Sequence, residues 1–271
     1  MASTFDDPIS SSPPSQSALN APRVKPKEHV ARGTGLHAMI GWLLFGIVGP
    51  ILILLSIVGT YGIALIAWLI ALVKYNQRAK KAEAVLMGNG VKVAPDQFPA
   101  IYASVARMAG QLELKSLPDV YIIESNEQNA FALKIGSKHN IVLIDDIVYG
   151  ALDNDKPEIL DFIIGHELAH HALGHTGLIR GTISNHYKPL SRLDEFSCDA
   201  VAVAMLQDAT PGLDAMTLLA VGPRLFPRVD KGSFAKQAEQ VMQNKYSKKA
   251  ESAMSHPLLL RRYGALQGMK I

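Results

Sequence analysis

The sequence predicts a mainly helical α+β domain with a small β-sheet, preceded by an apolar N-terminal helical hairpin. Three observations lead to this fold class. From Leu36 to Val73 the chain contains no Asp, Glu, Lys or Arg, a composition that fits the interior of a bilayer better than a water-facing surface. Short strand-like runs follow near the middle of the chain, and apolar residues at helical spacing dominate the remainder.

Composition limits the kinds of partner and site. A length of 271 residues allows one sizeable domain with accessory segments. The formal net charge is +3 without a dense stripe of Lys and Arg, so nucleic acid is not an expected partner. Cys198 is the single cysteine, which excludes an intrachain disulfide and a cysteine cage for zinc. A metal site is therefore expected to use histidines and carboxylates.

The N-terminal part is expected to be a tail followed by a membrane segment. Residues 1–35 are rich in Ser and Pro and are predicted to be disordered. One helix over the uncharged stretch would exceed the hydrocarbon core by roughly 25 Å, so a two-helix hairpin over residues 36–74 is favoured. Its turn is expected at Gly49-Pro50 or at residues 59–62, which both disfavour a continuous helix. A buried hairpin of a soluble protein is the alternative.

Basic residues flank the apolar segment on both sides, which predicts that both ends face the cytoplasm and that a lipid bilayer is a partner. These residues are Arg23, Lys25, Lys27 and Arg32 before the segment, and Lys74, Arg78, Lys80 and Lys81 after it. Residues 75–271 then have an ordinary soluble composition. Helices are predicted at 98–114, 157–175, 191–207, 213–221, 233–243 and 256–266, with strands at 119–123, 129–133 and 140–144.

The helix predicted from residue 157 contains the sequence His166-Glu167-Leu168-Ala169-His170. The two histidines are four residues apart, so both imidazoles lie on one helix face and can bind one zinc ion. Glu167 is expected to act as a general base rather than a ligand: the metal acidifies water and polarises a carbonyl, while the carboxylate accepts and delivers a proton. Hydrogen-bonded core histidines without a metal are the alternative.

A third ligand is required, because a catalytic zinc usually has three protein ligands and one open position. Leu173 and Thr176 occupy the positions where an extended motif would need Gly and His, which excludes a histidine there. Glu195 and Asp199, four residues apart on a predicted helix, are the candidates. Glu195 can bind zinc, and Asp199 can accept the free ring N–H of a ligating histidine. A solvated acidic helix face is the alternative.

The segments His166 to His175 and Glu195 to Asp199 resemble the signatures of the HtpX-like zinc metalloproteases, the family that includes the CAAX prenyl protease. Two weaker segments agree, Asn129-Ala130-Phe131-Ala132 and Ser255-His256-Pro257. The resemblance covers most of residues 75–271 and implies a zincin-like metallopeptidase domain of the gluzincin type. Cys198 stands where the family usually has a small residue, which suggests sensitivity to oxidation or soft metals.

This resemblance implies a membrane-anchored zinc endopeptidase with one Zn²⁺ per chain. The implied metal ligands are His166, His170 and Glu195. Glu167 would be the catalytic base, and Asp199 would orient a ligand.

The resemblance also indicates substrates and a location. His256 is a candidate for stabilising the oxyanion, and Asn129, Ala130 and Phe131 are candidates for the substrate cleft. Polypeptides, in particular damaged membrane proteins, are the expected substrates, cleaved at the cytoplasmic face of the inner membrane. Two alternatives stay open: a non-catalytic zinc-stabilised module that binds peptides along an edge strand, and prenyl-peptide processing.

Overall fold

The computed structural model describes residues 22–125, 129–135 and 138–269. Helices surround a small four-stranded sheet in these residues, so the predicted fold class is confirmed. Residues 1–21 of the predicted tail lie outside the described residues.

The uncharged stretch forms a helical hairpin. Its first arm, α1, is Thr34–Gly59, and its second arm, α2, is Ile63–Asn89. Across the hairpin, Trp68 Nε1 donates a hydrogen bond to Ser56 Oγ at 3.4 Å. Within the described part of the chain, α1 is the one helix that is long and apolar enough to cross a membrane.

The hairpin turns at the second of the two expected positions, residues 60–62. Gly62 has a φ of 90° there, which glycine adopts without strain. The chain does not turn at Gly49-Pro50, although Pro50 lacks an N–H group and its ring crowds the carbonyl four residues earlier. A π-helical stretch, Trp42–Val48, directly precedes these residues, and its wider turn accommodates the proline within α1.

The arms of the hairpin expose apolar side chains. Leu54, Val58, Ile63 and Ile66 are each more than 60% exposed, and a continuous apolar surface of this kind marks a contact with lipid or with another protein. The uncharged part of α2, residues 63–73, is about 16 Å long, roughly half the thickness of a bilayer core.

The described end of the predicted tail contacts the domain. The Val24 N–H donates to the carbonyl oxygen of Gln111 at 2.9 Å. The Ala31 N–H donates to Ser197 Oγ at 3.0 Å. Residues 22–33 therefore lie against the body that the later helices form.

The sheet has the strand order β1-β2-β4-β3. The strands are β1 Val91–Lys92, β2 Asp119–Ile123, β3 Ala130–Ile135 and β4 Lys138–Ile144. β2 and β4 are parallel, whereas β1 and β3 are antiparallel to their neighbours. β1 was not predicted from the sequence, because two residues are too few to show alternation. The order of the strands leaves β3 at an edge.

Alternate residues of the central strands face two cores. Ile122 and Leu143 belong to the main core, whereas Tyr121 and Val142 face the opposite side of the sheet. Leu86, near the end of α2, packs in that second core. The second arm of the hairpin is thereby attached to the sheet.

The other helices form the main body. They are α3 Pro99–Gln111, α4 Asp145–Leu152, α5 Glu158–Ala172, α6 Leu178–His186, α7 Lys188–Leu206, α8 Thr210–Val221, α9 Lys231–Gln243 and α10 Leu259–Gln267, with single turns at Pro26–His29, Phe226–Arg228, Ser247–Ala250 and Glu251–Ala253. No side chain of residues 153–155 caps α5. Asn154 instead donates to the Gly150 carbonyl, because the unpredicted α4 ends there.

Gly212, in the first turn of α8, has no room for a side chain. A Cβ at this position would lie 2.6 Å from Cε2 of Phe162 in α5, a fully buried ring. We expect Gly212→Ala to lower the free energy of unfolding by about 1–3 kcal/mol, the usual cost of overpacking a core, in urea titrations of the detergent-solubilised protein. Gly232→Ala, in the first turn of α9, is the control, since no atom lies within 3.4 Å of its added Cβ. Equal destabilisation by both would contradict this packing argument.

Candidate metal centre

Helices α5 and α7 bring the two predicted motifs together. Gly165 in α5 lies against α7, and an added Cβ there would be 3.4 Å from Cβ of Ala202. This close approach directs His166 and His170 toward Glu195.

The donor atoms of the predicted ligands converge. Nε2 of His166 and Nε2 of His170 are 3.3 Å apart. Oε2 of Glu195 is 3.6 Å from Nε2 of His166, and Oε1 is 3.5 Å from Nε2 of His170. Zinc bonds of about 2.0–2.2 Å in a tetrahedron require donor separations of about 3.3–3.6 Å. The donor set therefore fits a zinc ion.

Asp199 holds the other side of the His166 ring. Its Oδ1 lies 2.8 Å from Nδ1 of His166. Arg262, in α10, donates from Nε to Oδ2 of Asp199 at 2.8 Å and from Nη2 to Oδ1 at 2.6 Å. A third nitrogen of Arg262, Nη1, is 3.0 Å from Oε2 of Glu195. One buried guanidinium thus fixes two carboxylates and, through Asp199, one imidazole.

Arg262 was not predicted as a site residue from the sequence. The sequence signal that could have indicated its burial is helical spacing, since Arg262 lies four residues before the apolar Leu266 in α10 and both are buried. A buried arginine requires acidic partners, and the acidic pair of α7 supplies them.

Charges at the centre shift the protonation of its groups. Burial and the charge of Arg262 oppose protonation of His166, but its hydrogen bonds to Asp199 and Glu195 outweigh them and raise its pKa to about 9. Burial also opposes ionisation of Glu195, but the charge of Arg262 and the hydrogen bonds from the histidines hold its pKa well below the usual value. The carboxylate is therefore ionised at neutral pH, and a metal ion bound by His166 would displace a proton from it.

His170 has its own supporting residue. Gly174 lies two residues beyond the end of α5, and its φ of 75° turns the chain so that the His175 N–H donates to the His170 carbonyl at 2.9 Å. Nδ1 of His175 then lies 3.2 Å from Nδ1 of His170. Burial first, and then the neighbouring His170 and Arg180, lower the pKa of His175 to about 2, so its ring is neutral.

Asp194 fixes the far side of the His175 ring. Its Oδ1 is 3.3 Å from Nε2 of His175. Arg180 NH2 contacts the same oxygen at 2.5 Å, and Ser184 Oγ donates to Oδ2 at 2.8 Å. Each predicted ligand histidine is thus connected to an aspartate that an arginine holds in place.

The metal centre opens into a cleft of about 630 Å³. Glu167 lines it and is 5% exposed. The three predicted cleft residues, Asn129, Ala130 and Phe131, line its other side along β3. His256 lies at the opening, with Nδ1 3.1 Å from Oε2 of Glu195 and a side chain that is 62% exposed. All the predicted site residues except Asp199 therefore line one cleft, and Asp199 contacts the His166 ring.

Comparison with known proteins agrees with the motifs. Residues 95–183 match the family model of peptidase family M48. A protein named Protease HtpX homolog from Thermodesulfovibrio yellowstonii is 37% identical over 101 residues, which are 37% of this chain and 34% of that protein. Another of the same name, from Acidiphilium cryptum, is 36% identical over 73 residues, 27% of this chain and 24% of that protein.

The matches thus span about a third and a quarter of the length of these relatives. No solved structure matches the chain. The family match contains both motif histidines, and α7 contributes the acidic pair beyond it. Residues 95–183 of the chain, with the two motif histidines, are thus similar to peptidase family M48, and shorter stretches are similar to two proteins named Protease HtpX homolog.

Proposed function

We propose that the protein is a zinc-dependent endopeptidase held at a membrane by its N-terminal hairpin. The observation that carries this proposal is the convergence of His166, His170 and Glu195 at a cleft that Glu167 also lines. Zinc bound by these three residues would act as a Lewis acid on a water molecule and on the carbonyl of a peptide.

Glu167 is the proposed general base. It follows His166 directly in α5 and lines the cleft, but it does not belong to the converging group of ligand atoms among the described residues. Its carboxylate is therefore available to accept a proton from the attacking water and to deliver it to the leaving amine. No covalent bond between substrate and protein is required.

The edge strand β3 is the proposed site for the substrate backbone. Within the described residues β3 pairs with β4 alone, and its other edge faces the cleft. An extended peptide can pair with such an edge, which would place a peptide bond beside the metal ligands. Phe131, 44% exposed, offers an apolar surface for a substrate side chain. His256 is the proposed donor to the oxyanion, since it lies at the cleft opening.

The hairpin is the proposed membrane anchor, with residues 36–74 in the bilayer and residues 75–271 as the peptidase domain. The support is the exposed apolar surface of α1 and α2 and the basic residues on both flanks, which favour a cytoplasmic position for both ends. By the resemblance, the location is the inner membrane and the substrates are damaged or misfolded membrane proteins.

The purified full chain in detergent should hydrolyse an unfolded protein such as casein. A chelator should abolish the hydrolysis, because removal of zinc leaves water unactivated, and added zinc should restore it. Hydrolysis that continues after zinc has been removed would contradict the proposal. A zinc-loaded protein that binds unfolded chains without cutting them would instead support a non-catalytic peptide-binding module.

A further inference from the structure

A second group of metal-ligating side chains adjoins the first. Nδ1 of His175 lies 3.2 Å from Nδ1 of His170 and 3.6 Å from Sγ of Cys198. One ring nitrogen of each histidine and the cysteine sulfur all lie within 4.8 Å of one another. Cys198 is fully buried, but both histidines line the cleft, which gives a cation a path to the thiol.

We propose that Cys198, His175 and His170 form a second metal site, selective for a thiophilic divalent cation such as zinc or cadmium. With metal–nitrogen bonds of about 2.0–2.1 Å and a metal–sulfur bond of about 2.3 Å, a tetrahedral ion requires nitrogen–nitrogen separations of about 3.3 Å and nitrogen–sulfur separations of about 3.5 Å. The observed His175–His170 distance of 3.2 Å and His175–Cys198 distance of 3.6 Å match these two values. A thiolate with two imidazoles favours such cations over magnesium or calcium.

The surroundings of His175 prepare it as a ligand. With its Nε2–H directed at Asp194, 3.3 Å away, the lone pair of the ring is on Nδ1, which faces the other two groups. Without a cation, the N–H of His170 and the S–H of Cys198 compete for that one lone pair. A cation replaces both protons, from Nδ1 of His170 and Sγ of Cys198, and they pass to solvent.

Sharing of His170 links the two sites. Its Nε2 faces His166 and Glu195, and its Nδ1 faces the second site. Occupancy of the second site therefore changes the ring that holds the first ion. Excess cation should therefore inhibit peptide hydrolysis. This inhibition rests on the proposed function, whereas binding of the cation to the second site is independent of it.

Cadmium provides a direct test, because a cadmium–thiolate bond has an ultraviolet charge-transfer band and the chain has one cysteine. In a titration of the full chain that carries one equivalent of zinc in detergent, the band should grow to about one thiolate per chain. Cys198→Ser should remove the band. His175→Gln should raise the midpoint at least about tenfold, whereas His186→Gln, at an exposed position of α6, should leave it unchanged.

Two results would overturn the second site. One is a folded wild-type chain, by circular dichroism, that shows no band at a tenfold excess of cadmium. The other is a midpoint that His175→Gln does not move. If the band behaves as expected but no hydrolysis is found, the second site stands and only the proposed peptidase activity fails.

Discussion

Glu167→Gln is expected to lower the rate of peptide hydrolysis by about 10²–10⁴-fold, the usual contribution of a general base. Glutamine has nearly the shape of glutamate but cannot accept the proton of the attacking water. Glu167 lies outside the group of converging ligand atoms, so the variant should bind zinc as the wild type does. Rates on an unfolded protein substrate and metal analysis of the same preparation measure both properties.

Glu158→Gln is the matched control. Glu158 lies in the first turn of the same helix, its side chain is 43% exposed, and its described ion pair is with Lys156 at 3.7 Å. It should hydrolyse at the wild-type rate. A zinc-loaded Glu167→Gln protein that matches the wild-type rate would remove Glu167 from the mechanism.

The spacing of residues along two helices was sufficient to identify the candidate metal ligands. His166 and His170 on α5, and Glu195 and Asp199 on α7, are each four residues apart, and the 3.6-residue period of a helix fixes both pairs on one face. The contact between the two helices is part of the tertiary structure and is not visible in local spacing. It was nevertheless expected, because charged side chains on an apolar helix need partners when they are buried. Strands β2 and β4 could also be predicted from the sequence, since they are rich in apolar and β-branched residues.

Other features depend on tertiary contacts that no local pattern shows. Arg262 lies far along the chain from the motifs, and only packing of α10 against α7 explains its position between two carboxylates. Because the chain has a single cysteine, the metal site was expected to use histidines and carboxylates. The structure places that cysteine, Cys198, beside two histidines. The turn of the hairpin was undecided between two glycine-containing segments, because the π-helical stretch that accommodates Pro50 has no clear sequence signal.

Glu195→Gln is expected to have the largest effect on the metal, because it replaces a charged ligand by a neutral amide. Glu195 is 4% exposed and contacts both motif histidines. Loss of residues that merely orient ligands costs 10–100-fold in affinity, so loss of a ligand should weaken zinc binding by at least about 100-fold. Glu239→Gln, an exposed position of α9, is the control.

The most direct measurement is the zinc content of dialysed full-length protein, with Cys198→Ser in every chain so that the thiol holds no metal. About one zinc per chain is expected with Glu195 or with the Glu239→Gln control, and little or none with Glu195→Gln in a chain that is folded by circular dichroism. A full equivalent of zinc in the Glu195→Gln chain would show that the carboxylate of α7 does not complete the metal centre.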